Sequence, residues 1–249
     1  MTIATSEAED VPALISQVIT REPTKQMWFR GQGCNTHELN PSIWRRMRLK
    51  AFPDPVSSAQ VLDLETRLIT RFRQRSLPYW PAGYPQTDWE HLFAMQHFGL
   101  PTRLLDWTTN LLMAVYFALD HDVSRCPCGT DRCVPTIWLL DPVKLNRSNP
   151  RLHGLPIEVL ATSDKHVNHW EPGVEDAVFA PDPIAIYGTY NSDRIAAQHG
   201  TFTVAGKSMT PLEEGAVAAG TIERIHLTGD VSQLWRLFVN ESVRWVLAA

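Results

Sequence analysis

The sequence predicts an α+β fold with a mixed, mostly antiparallel sheet in the C-terminal half and helices packed on it. Apolar residues recur at helical spacing mainly in the first half of the chain, whereas the apolar runs and alternations typical of strands come mainly later. Strands and helices also do not follow the repeating βαβ order of a doubly wound sheet, and this favours α+β over α/β.

The helices are predicted from apolar residues spaced three or four apart. Residues 1–10, which precede the first of them, are expected to be disordered. Ser57 or Ser58 suits the N-cap of the long second helix, and Asp88 suits that of the third, which Gly99 can end. Asp106 or Thr108 is the expected cap of the next. The predicted helices cover residues 11–19, 57–75, 88–98, 111–119 and 231–241.

The strands are predicted from short apolar or alternating segments bounded by polar and glycine residues. Residues 136–141 are almost wholly apolar, so this strand is expected at the centre of the sheet. The segment 146–177 is expected to be largely irregular. The predicted strands cover residues 27–30, 103–105, 136–141, 183–187, 202–204, 221–227 and 243–247.

Composition limits the classes of partner. The chain has 249 residues, 44% of them hydrophobic, and a net charge of −4. A nucleic-acid partner would therefore need a local basic patch, and residues 43–50 offer one unless they are only a solvated helix face. No apolar run of about 18 residues predicts a membrane span. The N-terminus lacks the pattern of a signal peptide, so a cytoplasmic protein with reduced thiols is expected.

A cysteine-rich segment at residues 121–133 has the donors of a metal site. His121, Cys126, Cys128 and Cys133 together offer one imidazole and three thiolates, a set that suits tetrahedral zinc. The C-x-C spacing is unusual for such a site. Two other interpretations stay open: a loop that merely contains thiols, and a redox role.

Polar residues interrupt the apolar stretch 92–119. Burying them costs about 1–3 kcal/mol each unless they are paired, so they either form one internal network or line a site. Arg103 and Asp106 are expected to pair and brace a turn. The alternative is a site in which Thr108, Thr109 and the free N–H groups of the next helix bind an anion or ribose. The interrupting residues are Gln96, His97, Arg103, Asp106 and Asn110.

Two further motifs place arginines near strand ends. Arg30 follows an apolar strand, where its guanidinium can bind a phosphate or form a structural salt bridge, and Gly31 leaves room for a ligand. Arg194 and Gln198 precede a later strand, where they could face the same ligand or belong to an ordinary loop.

Taken together, these motifs resemble the FRG domain family over roughly residues 25–205, as a single domain within 11–249 in which residues 121–133 look like an insertion. The resemblance is carried by Phe29-Arg30-Gly31-Gln32, the block 96–108 (QHFGLPTRLLDWT), Ala114, Tyr116, Phe117 and Ala118, and Arg194, Ile195, Gln198, Gly200 and Phe202.

The order of these elements is also similar to that in ADP-ribosyltransferases, and this likeness implies roles in NAD binding. Arg30 would hold the diphosphate or ribose, Thr108 would support the nicotinamide pocket, and Gln198 would stand where those enzymes place a catalytic glutamate. Gln198 carries no charge, so Asp106 or Glu65 would have to supply the carboxylate. The implied catalytic set is Arg30, Asp106 and Gln198, and the implied cofactor-binding set is Arg30, Gly31, Gln32, Gln96, His97, Arg103, Thr108 and Arg194.

Two functional hypotheses follow. The first is an NAD-using ADP-ribosyltransferase or NAD glycohydrolase that acts as a toxin or defence effector. The second is a non-catalytic module that binds nucleotide, nucleic acid or protein through the same arginines. A metal-dependent nuclease or hydrolase is disfavoured, because the chain has no H-E-x-x-H or paired-aspartate motif.

Overall fold

The computed structural model describes residues 3–21, 26–49, 57–80, 85–120, 126, 128, 133–156, 158–188, 199–230 and 233–234. Within them, a seven-stranded sheet has the order β1-β7-β4-β2-β3-β6-β5. The strands are β1 (Ala4–Ala8), β2 (Trp28–Gln32), β3 (Leu104–Thr108), β4 (Thr136–Leu140), β5 (Ile184–Ile186), β6 (Gly200–Val204) and β7 (Ile222–Leu227).

The helices of the described residues are α1 (Val11–Ile19), α2 (Ser42–Leu49), α3 (Ser58–Ser76), α4 (Asp88–His97), α5 (Leu111–Leu119) and α6 (Pro142–Ser148). Four 3₁₀ helices complete them, at Leu77–Tyr79, Lys165–Trp170, Leu212–Glu214 and Ala216–Ala218. None of the helices in the described part of the chain is both long and apolar enough to cross a membrane.

The sheet confirms the predicted fold class. Only β1 and β7 pair in parallel, and the remaining neighbours are antiparallel. The strands are not confined to the C-terminal half, however. β2 lies between β4 and β3 in the middle of the sheet, and the apolar residues of these strands are buried on both faces. The prediction of disorder at the N-terminus was wrong for residues 4–8, which form an edge strand.

The helix ends follow local hydrogen-bonding rules, with two corrections. Ser57 caps α3 in a reciprocal capping box with Gln60, as predicted. The cap of α4 is Thr87, one residue before the predicted Asp88, because Glu90 completes the capping box there. The cap of α5 is Asn110, whose side chain accepts a hydrogen bond from the Leu112 N–H. The predicted caps of α5, Asp106 and Thr108, lie on strand β3 instead.

Alternate residues along each central strand pack on opposite faces of the sheet. Phe29 joins an apolar cluster with Leu14 of α1 and Ala114 of α5. The neighbouring Trp28 joins a second cluster on the other face, together with Leu145 of α6. Burying such a side chain contributes about 1.5–3 kcal/mol, so both faces of the central strands stabilise the fold. The predicted helix 231–241, apart from residues 233–234, and the predicted strand 243–247 lie outside the described residues.

Candidate functional site

A cleft of about 410 Å³ opens at one end of β2 and β3. It is bounded by the last turn of α4, by α5 and by the start of β6. Its polar lining comes from residues far apart in the chain, because β2 and β3 are antiparallel neighbours, with Phe29 opposite Thr108. Seven of the residues that the sequence singled out line it: Arg30, Gly31, Gln32, Gln96, His97, Asp106 and Thr108.

Arg30 is the cation of this cleft. One terminal nitrogen, Nη1, donates a 2.7 Å hydrogen bond to the main-chain oxygen of Asp106. Its Nε is buried and meets no acceptor among the described residues. Burial lowers the pKa of the Arg30 guanidinium, the Asp106 carboxylate opposes that effect, and the positive charge of Arg45 adds to it. A buried N–H donor without an acceptor is costly, and an anionic ligand would relieve that cost.

Asp106 lies at the end of a short chain of side-chain hydrogen bonds. The Thr102 hydroxyl donates to the side-chain oxygen of Gln96. The Gln96 amide then donates a 2.8 Å hydrogen bond to Oδ2 of Asp106. The Asp106 residue is exposed on an otherwise buried strand. The chain of bonds therefore fixes the carboxylate in a position where a ligand can reach it.

Aromatic rings form the walls of the cleft. Phe93 of α4 and Phe202 of β6 pack against each other with ring centroids 4.9 Å apart, and Phe117 of α5 also lines the cleft. Phe93 and Phe117 were not predicted from the sequence as lining residues. The signal for Phe117 is its exposure, 39%, on a helix whose other faces are largely buried. Flat apolar walls with a few polar groups are typical of sites for ring-containing ligands.

Arg103 does not line the cleft, and its predicted pairing with Asp106 was wrong. The Arg103 side chain is fully buried, where it pairs with Glu65 of α3 and donates to the main-chain oxygens of Ala205 and Trp170. Its guanidinium also lies 4.8 Å from the ring centroid of Phe179. A buried arginine needs such partners. We therefore regard Arg103 as part of the core rather than as a contact for a ligand.

Three of the cleft residues also have structural partners. Gly31 leaves room for a helix rather than for a ligand, since a Cβ there would lie 1.8 Å from the main-chain oxygen of Ala114 in α5. Gln32 accepts a 2.8 Å hydrogen bond from the indole of Trp138. The Thr108 hydroxyl accepts a hydrogen bond from the Asn110 N–H. These three residues therefore line the cleft and also stabilise the fold.

The predicted site residues Arg194, Gln198 and His121 lie outside the described residues. Glu65, the other carboxylate considered for catalysis, is fully buried against Arg103 and does not line the cleft. Asp106 is thus the only carboxylate among the described lining residues.

A second group of chemically active side chains lies beside the first. All four cysteines of the chain meet there: Cys34, Cys126, Cys128 and Cys133. Their sulfur atoms lie within 4.8 Å of one another, and together they could hold a metal ion such as zinc. Cys34 was not predicted as a ligand, because it lies 92 positions before Cys126 and nothing near it in the sequence indicates a metal site.

Hydrogen bonds surround this cluster of thiols. Cys34 Sγ lies 3.1 Å from the Thr36 hydroxyl, and Cys126 Sγ lies 3.4 Å from Nε2 of His37. Burial alone would raise the pKa of the Cys34 thiol, but its hydrogen bonds with Thr36, Cys128 and Cys133 outweigh burial and lower it to about 6. A hydrogen bond with Cys126 raises the pKa of the Cys128 thiol, and burial raises that of Cys133, so the thiolate character of the group is concentrated on Cys34. Thiolate is the form that binds metals.

Comparison with known proteins identifies one part of the chain. Residues 25–125 match the family model described as the FRG domain. No curated protein and no solved structure matches the chain significantly. The matched range contains Arg30, Gln96, His97, Asp106 and Thr108, and the polar side of the cleft is therefore built from it. For this range, the match confirms the family that the sequence motifs indicated: the chain contains an FRG domain at residues 25–125, whereas the extension of the likeness to about residue 205 stays a prediction.

Proposed function

We propose that the cleft binds NAD and that the protein breaks the bond between nicotinamide and ribose, releasing ADP-ribose to water or to an acceptor. The observation that carries this proposal is the meeting of Arg30 and Asp106 at one end of an aromatic cleft. A cation can hold the diphosphate of such a ligand while a carboxylate faces its reactive ribose. The size of the cleft, about 410 Å³, lies in the range of small-molecule sites.

Recognition of the diphosphate would rest on Arg30. The Arg30 Nε–H has no hydrogen-bond acceptor among the described residues. A phosphate oxygen could serve as that acceptor, because phosphates form strong hydrogen bonds with guanidinium groups. The positive charge of Arg45 lowers the Arg30 pKa, and a negatively charged ligand at Arg30 would offset that repulsion. The rings of Phe93, Phe117 and Phe202 suit the planar bases of the dinucleotide.

Asp106 would act on the ribose. When the C1′–N bond breaks, nicotinamide leaves with the bonding electrons and the ribose becomes an oxocarbenium-like cation. The Asp106 carboxylate, held by Gln96, would stabilise that cation. A water molecule or an acceptor nucleophile then bonds to C1′ and releases one proton. Hydrolysis of cellular NAD in this way would suit a toxin or a defence effector.

Incubation of the purified protein with NAD tests this proposal, with mass spectrometry for nicotinamide and ADP-ribose. We expect turnover by the wild type, weakened binding in Arg30→Ala, and retained binding with at least about 100-fold less turnover in Asp106→Asn. Asp63→Asn is the matched control, because Asp63 is an exposed acid on α3 outside the cleft. A wild-type protein that neither binds nor cleaves NAD would refute the proposal.

The second candidate is a module that binds a phosphate-bearing nucleotide, a nucleic acid or a protein without chemistry. The uncharged Gln198, at the position where the likeness to ADP-ribosyltransferases places a glutamate, favours it. In this case ADP or NAD would raise the melting temperature of the wild type, and not that of Arg30→Ala, while no nicotinamide is released. Binding without turnover therefore separates the second candidate from the first.

A further inference from the structure

The cluster of thiols joins two segments that are distant in the sequence. Cys34 follows β2 by two residues, whereas Cys126, Cys128 and Cys133 lie between α5 and β4. A second contact joins the same segments, because the Val134 N–H donates a 3.4 Å hydrogen bond to the side chain of Asn35. Gly33, the neighbour of Cys34, lines the cleft. The segment that carries Cys34 therefore reaches both the cluster and the cleft.

The spacing of the sulfurs suits a metal ion. Cys128 Sγ is the centre of the group, at 3.1 Å from Cys34, 3.0 Å from Cys126 and 2.8 Å from Cys133. Four sulfurs around tetrahedral zinc, each at about 2.3 Å from the ion, lie about 3.8 Å apart. Only small shifts separate the two arrangements, since all four sulfurs already lie within 4.8 Å of one another.

The neighbours of the thiols suit thiolate charge. Four thiolates around one divalent ion carry a net charge of −2, and hydrogen-bond donors near the sulfurs stabilise such a site. The Thr36 hydroxyl lies within hydrogen-bond reach of Cys34, and the His37 imidazole nitrogen lies within reach of Cys126. Both groups can donate to a thiolate, and both belong to the segment that carries Cys34, so this turn supplies one ligand and the support for another.

We propose that Cys34, Cys126, Cys128 and Cys133 bind one zinc ion in a closed four-thiolate site, which fastens the loop after α5 to the segment after β2. Four protein ligands leave no open position for water, so the ion is structural. Cys34 takes the place that the sequence analysis gave to His121. The proposal does not depend on what the cleft binds.

Metal analysis of the protein purified without chelators tests this assignment. We expect one zinc ion per chain in the wild type and less than about 0.2 in Cys34→Ser. His121→Ala is the matched control, since it removes an imidazole that could compete as a ligand, and it should retain about one zinc. Zinc lost in His121→Ala and kept in Cys34→Ser would overturn the assignment of Cys34.

Cobalt substitution of the wild type gives a readout that does not depend on whether Cys34→Ser folds. Four thiolate ligands should give the charge-transfer absorption of a tetrahedral cobalt site with four sulfurs, and three thiolates with one nitrogen a weaker and shifted spectrum. A wild-type protein that holds no metal, or in which mass spectrometry finds disulfides among these cysteines in place of the ion, would refute the proposal.

Discussion

Both oxygens of the Glu65 carboxylate accept a hydrogen bond from the Arg103 guanidinium, at 2.8 Å from Nε and 2.9 Å from the second terminal nitrogen. Both side chains are fully buried. Removing one member leaves the other charge buried without its partner, which costs about 3–5 kcal/mol. We therefore expect Glu65→Gln and Arg103→Met each to lower the free energy of unfolding by about that amount in urea denaturation followed by tryptophan fluorescence.

The control for this prediction is the exposed pair of Asp63 and Arg67 on the same helix. Asp63→Asn should cost less than about 1 kcal/mol, because solvent screens such pairs. The double variant Glu65→Leu/Arg103→Met should regain part of the lost stability. Losses in the double variant that equal the sum of the single losses would argue against a coupled pair.

Gly31→Ala should destabilise the protein through a steric conflict. The added Cβ would lie 1.8 Å from the Ala114 oxygen and 2.6 Å from the Ala118 nitrogen, so α5 would have to move off β2. We expect a loss of about 3 kcal/mol or more in urea denaturation. Gly215→Ala is the control, because the nearest atom there is 3.4 Å away. Equal, small losses at both positions would show that α5 is not packed tightly on β2.

Gln32→Leu should destabilise the protein even in the absence of ligand. The substitution removes the acceptor of the buried Trp138 indole N–H, and an unsatisfied buried donor costs about 1–3 kcal/mol. A thermodynamic cycle with Trp138→Phe checks the cause. In that background the donor is already gone, and Gln32→Leu should cost clearly less; an unchanged cost would rule out the hydrogen bond as its origin.

His91 should make the stability depend on pH. Burial lowers the pKa of this imidazole below the ordinary 6.5. The unfolded chain therefore binds a proton at a higher pH than the folded one, and the protein loses stability as the pH falls below about 6.5, until the folded state is protonated too. His226, whose pKa burial also lowers, acts in the same direction.

Melting temperatures measured between about pH 7.5 and pH 5 test this dependence. We expect His91→Gln to have a shallower decline than the wild type, because the buried titrating ring is gone. His153→Gln removes an exposed histidine and should keep the wild-type decline. If the melting temperature of His91→Gln falls as steeply with pH as that of the wild type, another group causes the pH dependence.

The sequence correctly predicted those helix ends and strands that depend on interactions within a few residues. The capping box at Ser57, the end of α4 at Gly99, whose φ is +71°, and the buried strand β4 all follow from signals within a few residues. Asp106 was misplaced because a strand and a helix cap both tolerate aspartate there, and the pairing of β3 with β6 decided between them. The disorder predicted for the N-terminus failed for the same reason, since β1 pairs with a strand far along the chain.

The candidate site was predictable only in part. The motifs indicated Arg30, Gln96 and Asp106, because a polar residue in an apolar segment is costly to bury unless it is hydrogen-bonded or faces a ligand. Contacts between segments far apart in the sequence were not predictable, because nothing near Glu65 or Cys34 in the sequence indicates which residue it meets. Chain folding alone brings Glu65 to Arg103 and Cys34 to Cys128.

The parallel pairing of β1 with β7 has a practical side. Ala4–Ala8 covers the outer backbone of β7, whose N–H and C=O groups would otherwise form an open edge. A shortened polypeptide that begins at Glu9 would expose the edge of β7. Two copies would then be expected to associate by pairing their exposed β7 strands. A purification tag or fusion partner should therefore be added before Ala4 through a flexible spacer, and it should not replace β1.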